Sequence, residues 1–463
     1  MDVVTGRPGD LPENREGRQP RKRLTGFRAF LVVWLGQVLS MTGSSMSQFA
    51  LSIWAYQKTG LATSLAMVEF FFQGAMIAAT PLAGVYVDRW NRKLTMMLSD
   101  LLAVCGTIAI LILYHAGQLA IWHLCVVGVV NGIGQAFQFP AYSAAITQMI
   151  PKEHYARAGG LMSLAESGSV ILAPIFAGLL IGIIKVGGIL TIDVVTFGFA
   201  FGALLLIDVP SPAREVKQRE SMWRQMTFGF RYIALRRPLL YLLTMYAVTN
   251  FVMSIGMPLM TPMVLARTAN DAKALAMVQS AAGIGGVLGG LLMGIWGGPR
   301  RRILGILFGN AMNFCVLGLT IALGRSPVWW AAGFVVGQCL GGMVNGLSQS
   351  IWQVKVPHEY QGRVFASRRL LASIISPAAL LISGPLADKV FEPAMAPSGW
   401  MARAFGRFTG TGPGTGMALI IFISCMLAML TSLTGFAVPG IRHLETLIPD
   451  NDAVPAQEPV PGD

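Results

Sequence analysis

Runs of about twenty apolar residues, parted by short polar stretches, recur from one end of this chain to the other. A run of that length can cross the hydrocarbon core of a bilayer, and a helix is the form that satisfies its own backbone there. Twelve such runs are read, over residues 28–55, 62–86, 94–114, 119–149, 158–184, 189–209, 239–265, 273–297, 303–323, 328–354, 367–388 and 414–438. Only 12% of the 463 residues are charged, against about 25% in a soluble domain. The chain therefore reads as an all-α integral membrane protein with twelve transmembrane helices.

The net charge of +13 would by itself suit nucleic acid, but the placement of the cations argues otherwise. With the amino terminus in the cytoplasm and the loops alternating, 27 of the 35 lysines and arginines fall inside. The 8 outside are Lys58, Lys185, Arg267, Lys273, Arg325, Lys389, Arg403 and Arg407. This is the positive-inside pattern of a multi-pass plasma-membrane protein of bacterial type, both termini cytoplasmic, and it removes the reason to invoke nucleic acid. Residues 1–26 are rich in Pro, Gly and Arg and have no apolar core, so they read as a disordered cytoplasmic tail rather than a signal peptide. The five cysteines lie inside apolar runs without a C-x-x-C pair, which points to neither disulfides nor a metal.

The chain repeats itself. Pro151-x-Glu153-x-x-x-Arg157 follows the fourth run, and Pro357-x-Glu359-x-x-x-Arg363 follows the tenth, 206 residues later. Two parallel halves of six helices are expected, over 27–209 and 239–438, with a basic linker at 210–238 and a tail at 439–463. In the linker Met222, Met226, Phe230 and Ile233 recur at helical spacing among arginines, which predicts an amphipathic helix on the inner leaflet. The glycine-dense stretch from Gly283 to Gly290 lacks the Lys-Ser/Thr ending of a phosphate loop and reads as close helix packing.

Between the second and third runs stands Gly84-Val85-Tyr86-Val87-Asp88-Arg89-Trp90-Asn91-Arg92-Lys93. The pattern G-x-x-x-D-R-x-x-R-K resembles the signature between helices 2 and 3 of the major facilitator superfamily. A worn second copy begins at Gly294, with Gly298 where Asp88 would stand. In the fifth run Gly160, Ser169, Ala173, Pro174, Ala177 and Gly178 resemble the family's antiporter signature in degenerate form. Together with Gln37-Val-Leu-Ser40 and Tyr56-Gln57-Lys58-Thr59-Gly60, these residues look like drug–proton antiporters related to macrolide-efflux proteins and the enterobactin exporter. The similarity covers residues 27–438. It implies two pseudo-symmetric six-helix bundles, a central cavity lined by helices 1, 4, 7 and 10, and alternating access, with Gly84, Asp88, Arg89, Arg92 and Lys93 as a cytoplasmic gate.

Polar stripes fall on the expected helices. Asn131, Gln135, Gln138 and Tyr142 share one face of the fourth, and Gln338, Gly342, Asn345 and Gln349 repeat the spacing in the tenth. The first run offers Gln37, Ser40, Ser44, Ser47 and Gln48; the seventh offers Tyr246, Asn250 and Ser254. Each stripe either lines a cavity or bonds helix to helix. A carboxylate within a span costs at least ~2.5–3.5 kcal/mol, so each needs a reason. Glu69 and Glu166 are read as candidates for proton coupling, against static hydrogen bonding, with Glu166 expected to be buried. Asp100 reads as structural and Asp193 as an interfacial anchor. Gly128 occupies the place where many such antiporters carry an arginine, so proton relay through that residue is not expected.

No nucleophile elbow, zinc-protease motif or Walker sequence is present, and no cofactor or metal is implied. The expected activity is not enzymatic. It is secondary active, proton-coupled efflux of an amphipathic small molecule such as an antibiotic or siderophore-like natural product. The expected partners are that substrate, protons and membrane lipids, and the expected state is a monomer. A lysophospholipid flippase of the same superfamily is the alternative, distinguished by lipid uptake without drug tolerance. A non-transporting sensor or scaffold is the third reading, and it would tolerate Asn131→Leu. The outer loop from Lys389 to Gly416 either covers the exit or forms a surface hairpin.

Overall fold

The computed structural model describes residues 26–87, 90–207, 222–357 and 359–450. The spans are α1 (Gly26–Thr59), α2 (Ala62–Val87), α3 (Arg92–His115) and α4 (Ile121–Met149). A continuous helical stretch, Tyr155–Leu206, then runs for 52 residues. A straight helix of that length would measure roughly 78 Å, far more than a bilayer. It is broken at Lys185, whose φ of 57° is not helical. Its two arms are α5 (155–184) and α6 (186–206). They lie side by side, because Trp34 Nε1 donates to Leu161 O at 2.7 Å while Gly36, two residues on, touches Ala200. The second half continues with α7 (Arg237–Arg267), α8 (Ala272–Trp296), α9 (Arg302–Leu323), α10 (Pro327–Lys355), α11 (Gln361–Ala394) and α12 (Thr415–Ala437). The twelve spans of the sequence reading are present. The eleventh begins earlier than expected, at Gln361.

Local chemistry sets several ends. Asn91, Asp271 and Ser326 accept from the first-turn N–H groups of α3, α8 and α10, relieving donors that a helix start leaves unpaired. Gly297 ends α8 at φ 75°, a conformation that favours glycine. The run Gly283–Gly290 packs as the sequence predicts. A methyl at Gly289 would collide with Cys339 O of α10, and one at Gly283 would meet Ile171 Cγ1 of α5 at 2.7 Å.

The two halves repeat in space as in sequence. Arg157 lies 4.9 Å from the centroid of Phe27, and Arg363 lies 5.6 Å from that of Phe228. Arg157 thus covers a ring at the start of α1, and Arg363 covers one in the segment Met222–Leu235. α1 packs on α5 and α6, and α2 on α4. In the second half α8 packs on α10, and α9 on α10 and α12.

The bundles share an apolar core at one end. On the face away from the termini a single apolar core runs through both, from Phe49, Ile53 and Ile189 to Leu265, Leu275 and Ile421. On the terminal face the cores are separate: Phe30, Met96 and Leu204 in the first bundle, Ile233, Ile306 and Trp352 in the second. α5 touches α8 from Gly178 (against Ala276) down to Val170 (against Gly283), while Gly286 and Gly290 have open space. The cleft therefore opens toward the terminal face.

A carboxylate pins the closed end. Asp388 of α11 accepts from the N–H groups of Ala62 (3.0 Å) and Thr63 (2.8 Å) and from Thr63 Oγ1 (2.6 Å), at the start of α2. It meets the positive end of that helix's dipole. Asp388 sits in a π-helical turn, Ala387–Phe391, and Gly384 one turn away lets the α2 backbone pass so closely that a methyl would strike Thr63 Cα.

Several expectations change. The linker helix, Met222–Leu235, does not lie free on a leaflet: Gly229 packs on Ser367, and Tyr232 and Ile233 are buried in the second bundle's core. Residues 439–450 are not a loose tail. Lys355 Nζ donates to Glu445 O (2.7 Å) and Ile448 O (2.5 Å) and pairs with Asp450 (2.7 Å). Glu445 accepts from the N–H groups of Arg302 and Ile303, so a carboxylate caps α9 although Gly298 replaces the motif's aspartate. The loop after α11 forms a helix, Trp400–Thr409, seated on the second bundle through Arg267, which donates to Thr409 O and Gly324 O. It does not cover the cleft. Residues 1–25, Asp88, Arg89, 208–221 and 451–463, which carry several expectations, lie outside the described residues.

Hydrogen bonds to a charged partner contribute about 1.5–3 kcal/mol. Asp388→Asn is therefore expected to raise the fraction opened at the closed face by about 10-fold. Spin labels at Leu61 and Val390 should then gain a longer-distance population in pulsed electron resonance. An unchanged distance distribution would remove the latch.

Candidate functional site

A cavity of about 1100 Å³ lies between the bundles. Its wall is polar on the first-bundle side: Gln37, Ser40, Ser44 and Gln48 from α1, Glu69 and Gln73 from α2, and Asn131, Gln135 and Gln138 from α4. The second bundle adds Asn250 and Ser254 from α7, Gln279 from α8, and Ser373 and Ser376 from α11. Polar faces in a span are costly toward lipid, and here they turn toward a space wide enough for water and a small molecule.

Three carboxylates face this space, and each is held by neutral donors. Asp100 of α3 is 5% exposed and accepts from Gln37 Nε2 (3.3 Å) and from Gln138 Nε2. Asp193 of α6 is 4% exposed and accepts from Ser44 Oγ (2.8 Å) and Thr107 Oγ1 (3.1 Å). Asp193 can approach because α1 has Gly43 opposite it; a methyl there would meet Asp193 Cα at 3.2 Å. Glu69 is half-buried and accepts from Gln73 Nε2 one turn away, at 2.7 Å. Among the described residues no lysine or arginine lines the cavity. The wall thus concentrates anionic groups without cationic partners, an arrangement able to attract a cation or hold a proton.

Two walls are broken helices. α7 passes through a 3₁₀ turn, Met257–Leu259, with Pro258 in the lining. α11 is interrupted between Ser373 and Ser376, and Asn250 Nδ2 donates to Ala372 O (2.9 Å) beside that interruption. Irregular backbone at this depth is tolerated where it borders a cavity, and it presents polar main-chain groups there.

The residues singled out from sequence divide accordingly. Gln37, Ser40, Ser44, Glu69, Asn131, Gln135, Gln138 and Asn250 line the cavity, with Ser169 and Pro174. Tyr142 does not. It packs with the apolar cluster near the terminal face, because the fourth helix's stripe continues past the cavity's end. Tyr246, Asn345 and Gln349 line a separate chamber in the second bundle, and Gln338 lines neither space. Glu166, expected to be buried, is exposed, just beyond the point where α5 leaves α8. Asp193, expected at an interface, is instead buried in the cavity wall. Asp100 is likewise a wall residue.

Within the antiporter-like segment, Ser169 Oγ lies 3.2 Å from Thr42 Oγ1, Ala173 is buried, and Gly178 meets α8. Gly160 stands apart, exposed near the start of α5. Gly128 has a close-packing reason: a methyl there would meet Val68 O of α2 at 3.3 Å, so an arginine would force the helices apart. Of the basic cluster, Lys93 Nζ donates to Ile207 O at 2.6 Å.

The contributions of α3, α6, α8 and α11 to the wall are not among the cavity residues singled out from sequence. A signal existed: Asp100 and Thr107 are seven residues apart, on one face of α3.

Comparison with known proteins agrees with this architecture. Residues 33–380 match the family model described as Major Facilitator Superfamily. Macrolide efflux protein A of Streptococcus pyogenes is 27% identical over 370 residues, covering 78% of this chain and 90% of the relative. Multidrug efflux pump Tap of Mycolicibacterium fortuitum is 27% identical over 376 residues, covering 77% and 89%. Enterobactin exporter EntS of Escherichia coli O139:H28 is 21% identical over 341 residues, covering 73% and 80%. Among solved structures, a bacterial homologue of the human lysosomal transporter Spinster, inward-facing and unoccupied, superposes with a TM-score of 0.64 at 15% identity, covering 90% of this chain and 97% of that one. A bacterial homologue of ferroportin in an inward-facing state gives 0.62 at 14%, covering 88% and 98%. These two share the fold. With the family model spanning residues 33–380 and twelve spans in two bundles around a polar cleft, this chain belongs to the Major Facilitator Superfamily of membrane transporters.

Proposed function

We propose that the protein exports an amphipathic small molecule bearing a basic nitrogen, in exchange for protons, across a bacterial cytoplasmic membrane. The observation that carries this reading is the cavity itself, with Glu69, Asp100 and Asp193 in its wall and no cation opposite them. Such a wall discriminates by charge, and its apolar lining from Phe49, Val68, Phe72, Val170 and Met253 accepts a bulky apolar body. Relatives named for macrolide, multidrug and enterobactin efflux support export as the direction.

Asp193 and Asp100 replace Glu166 as the coupling pair of this reading, with Glu69 nearer the closed end. Each is buried among neutral donors, so its charge is countered either by a proton or by the cargo's cation. Competition between the two for one carboxylate couples proton entry to cargo release. Gly84, Asp88, Arg89, Arg92 and Lys93 form the gate of the terminal face in this scheme, and Asp388 the latch of the opposite one. Closing one while opening the other is a rocking of the two bundles about the cavity. The positive-inside distribution assigns the terminal face to the cytoplasm, so the cleft is open inward. The protein acts as a monomer in this reading, since the cavity is complete within one chain.

Asp193→Asn keeps the side chain's shape and one acceptor for the Ser44 and Thr107 hydroxyls but cannot carry a proton. It is expected to lower pH-driven transport of a radiolabelled macrolide in inverted vesicles at least about 10-fold, with macrolide binding to the detergent-purified protein weakened but measurable. Asp100→Asn should behave alike. Transport that ignores the pH gradient and survives both substitutions would reject proton coupling. Fusions test the orientation: a fluorescent protein at the carboxyl terminus should glow, and alkaline phosphatase there should be inactive. Active phosphatase would reverse the assignment of faces.

A further inference from the structure

Beside the central cavity, and meeting it at Asn250 and Ser373, is a second chamber of about 530 Å³ inside the second bundle. Its charge is opposite. Arg368 and Arg369 of α11 line it, and no aspartate or glutamate does. Arg368 is half-buried, and its guanidinium lies 4.9 Å from the ring centroid of Trp352. It donates through Nη2 to Ser348 Oγ (2.9 Å) and through Nη1 to Gln349 Oε1 (3.3 Å). A guanidinium fork has more N–H donors than these two acceptors use. Among the described residues no carboxylate pairs with it.

A second buried donor stands beside it. Trp352 is fully buried, lines the chamber, and its indole Nε1 has no hydrogen-bond partner among the described residues. Buried polar groups are normally satisfied, and an indole donor left unsatisfied beside a guanidinium with spare N–H groups marks a place for an outside acceptor.

We infer that this chamber is an oxyanion subsite, in which Arg368 and the Trp352 indole N–H receive a carboxylate or phosphate group of the transported amphiphile. The inference rests on the transport reading only in making the occupant cargo. It sharpens the substrate class to a molecule whose two polar ends differ in sign, the basic end toward Asp100 and Asp193 and the acidic end toward Arg368. Ser373 and Asn250 line both spaces, so the subsite adjoins the central cavity. Arg369, 5.8 Å from the Phe139 ring centroid of α4, places the chamber against the opening between the bundles.

The test is binding to the detergent-purified full chain, independent of transport. The probes are 11-(dansylamino)undecanoic acid and its primary amide, which share an apolar body and differ only in the oxyanion. The wild type should bind the acid at least about 10-fold more tightly than the amide. In Arg368→Gln the two affinities should fall within about 2-fold of each other, while Arg368→Lys, which keeps the charge, should retain most of the preference. A thermal-shift measurement on each variant separates loss of the site from loss of the fold. If Arg368→Gln does not fold, Trp352→Phe, which removes the indole donor and keeps the ring, should weaken acid binding and leave amide binding unchanged. Inorganic phosphate should displace the acid; displacement by phosphatidylglycerol vesicles alone would assign the site to a lipid headgroup and overturn the cargo assignment. Equal affinity of the wild type for acid and amide, or a preference that survives in Arg368→Gln, would overturn the subsite, and neither result would touch macrolide transport.

Discussion

The apolar seal across the face opposite the termini is what the rest of the arrangement depends on. There the two bundles share one core, and α5 and α2 of the first press on α8 and α11 of the second through small residues. Apolar contact holds little specificity between helices that could equally face lipid, so close backbone approach and a few polar bonds decide the geometry. Asp388 supplies such a bond, placing a carboxylate on the first turn of α2 across the bundle boundary. Because the seal occupies one end, the bundles diverge toward the other, and the space between them is the cavity.

That geometry explains why polar side chains survive in the spans. A buried carboxylate is expensive in hydrocarbon, and both Asp100 and Asp193 offset the cost with two side-chain donors each. The donors come from different helices: α1 and α4 for Asp100, α1 and α3 for Asp193. The same bonds therefore tie the first bundle together and shape the cavity wall. In the proposed cycle a change in protonation at either aspartate would act on packing and on recognition together.

The two halves descend from one pattern but have diverged in charge. The first keeps carboxylates at the cavity, while the second places arginines in an adjoining chamber. The second also stabilises its terminal end differently. Where the first copy of the basic motif carries Asp88, the second has Gly298, and Glu445 returns from beyond α12 to cap α9. Lys355, buried at the end of α10, fastens that returning segment. This leaves the second bundle with a built-in brace on its terminal face.

The number of spans, their helical form, the division into two repeated halves and the polar α1 and α4 stripes of the cavity were legible in the residues alone. Those properties are local or periodic: apolar length decides crossing, residue spacing decides which side chains share a helix face, and repetition survives in Pro151–Arg157 and Pro357–Arg363. Only the tertiary structure decided where each face points along its length. Tyr142 lies on the right face of α4 but below the cavity, and Glu166 lies beyond the α5–α8 contact. Asp193 enters the wall because Gly43 admits its helix, a pairing 150 residues apart that no local pattern encodes. Which acid becomes a site and which a surface group depends on the neighbour that happens to be packed against it, and that neighbour belongs to the fold.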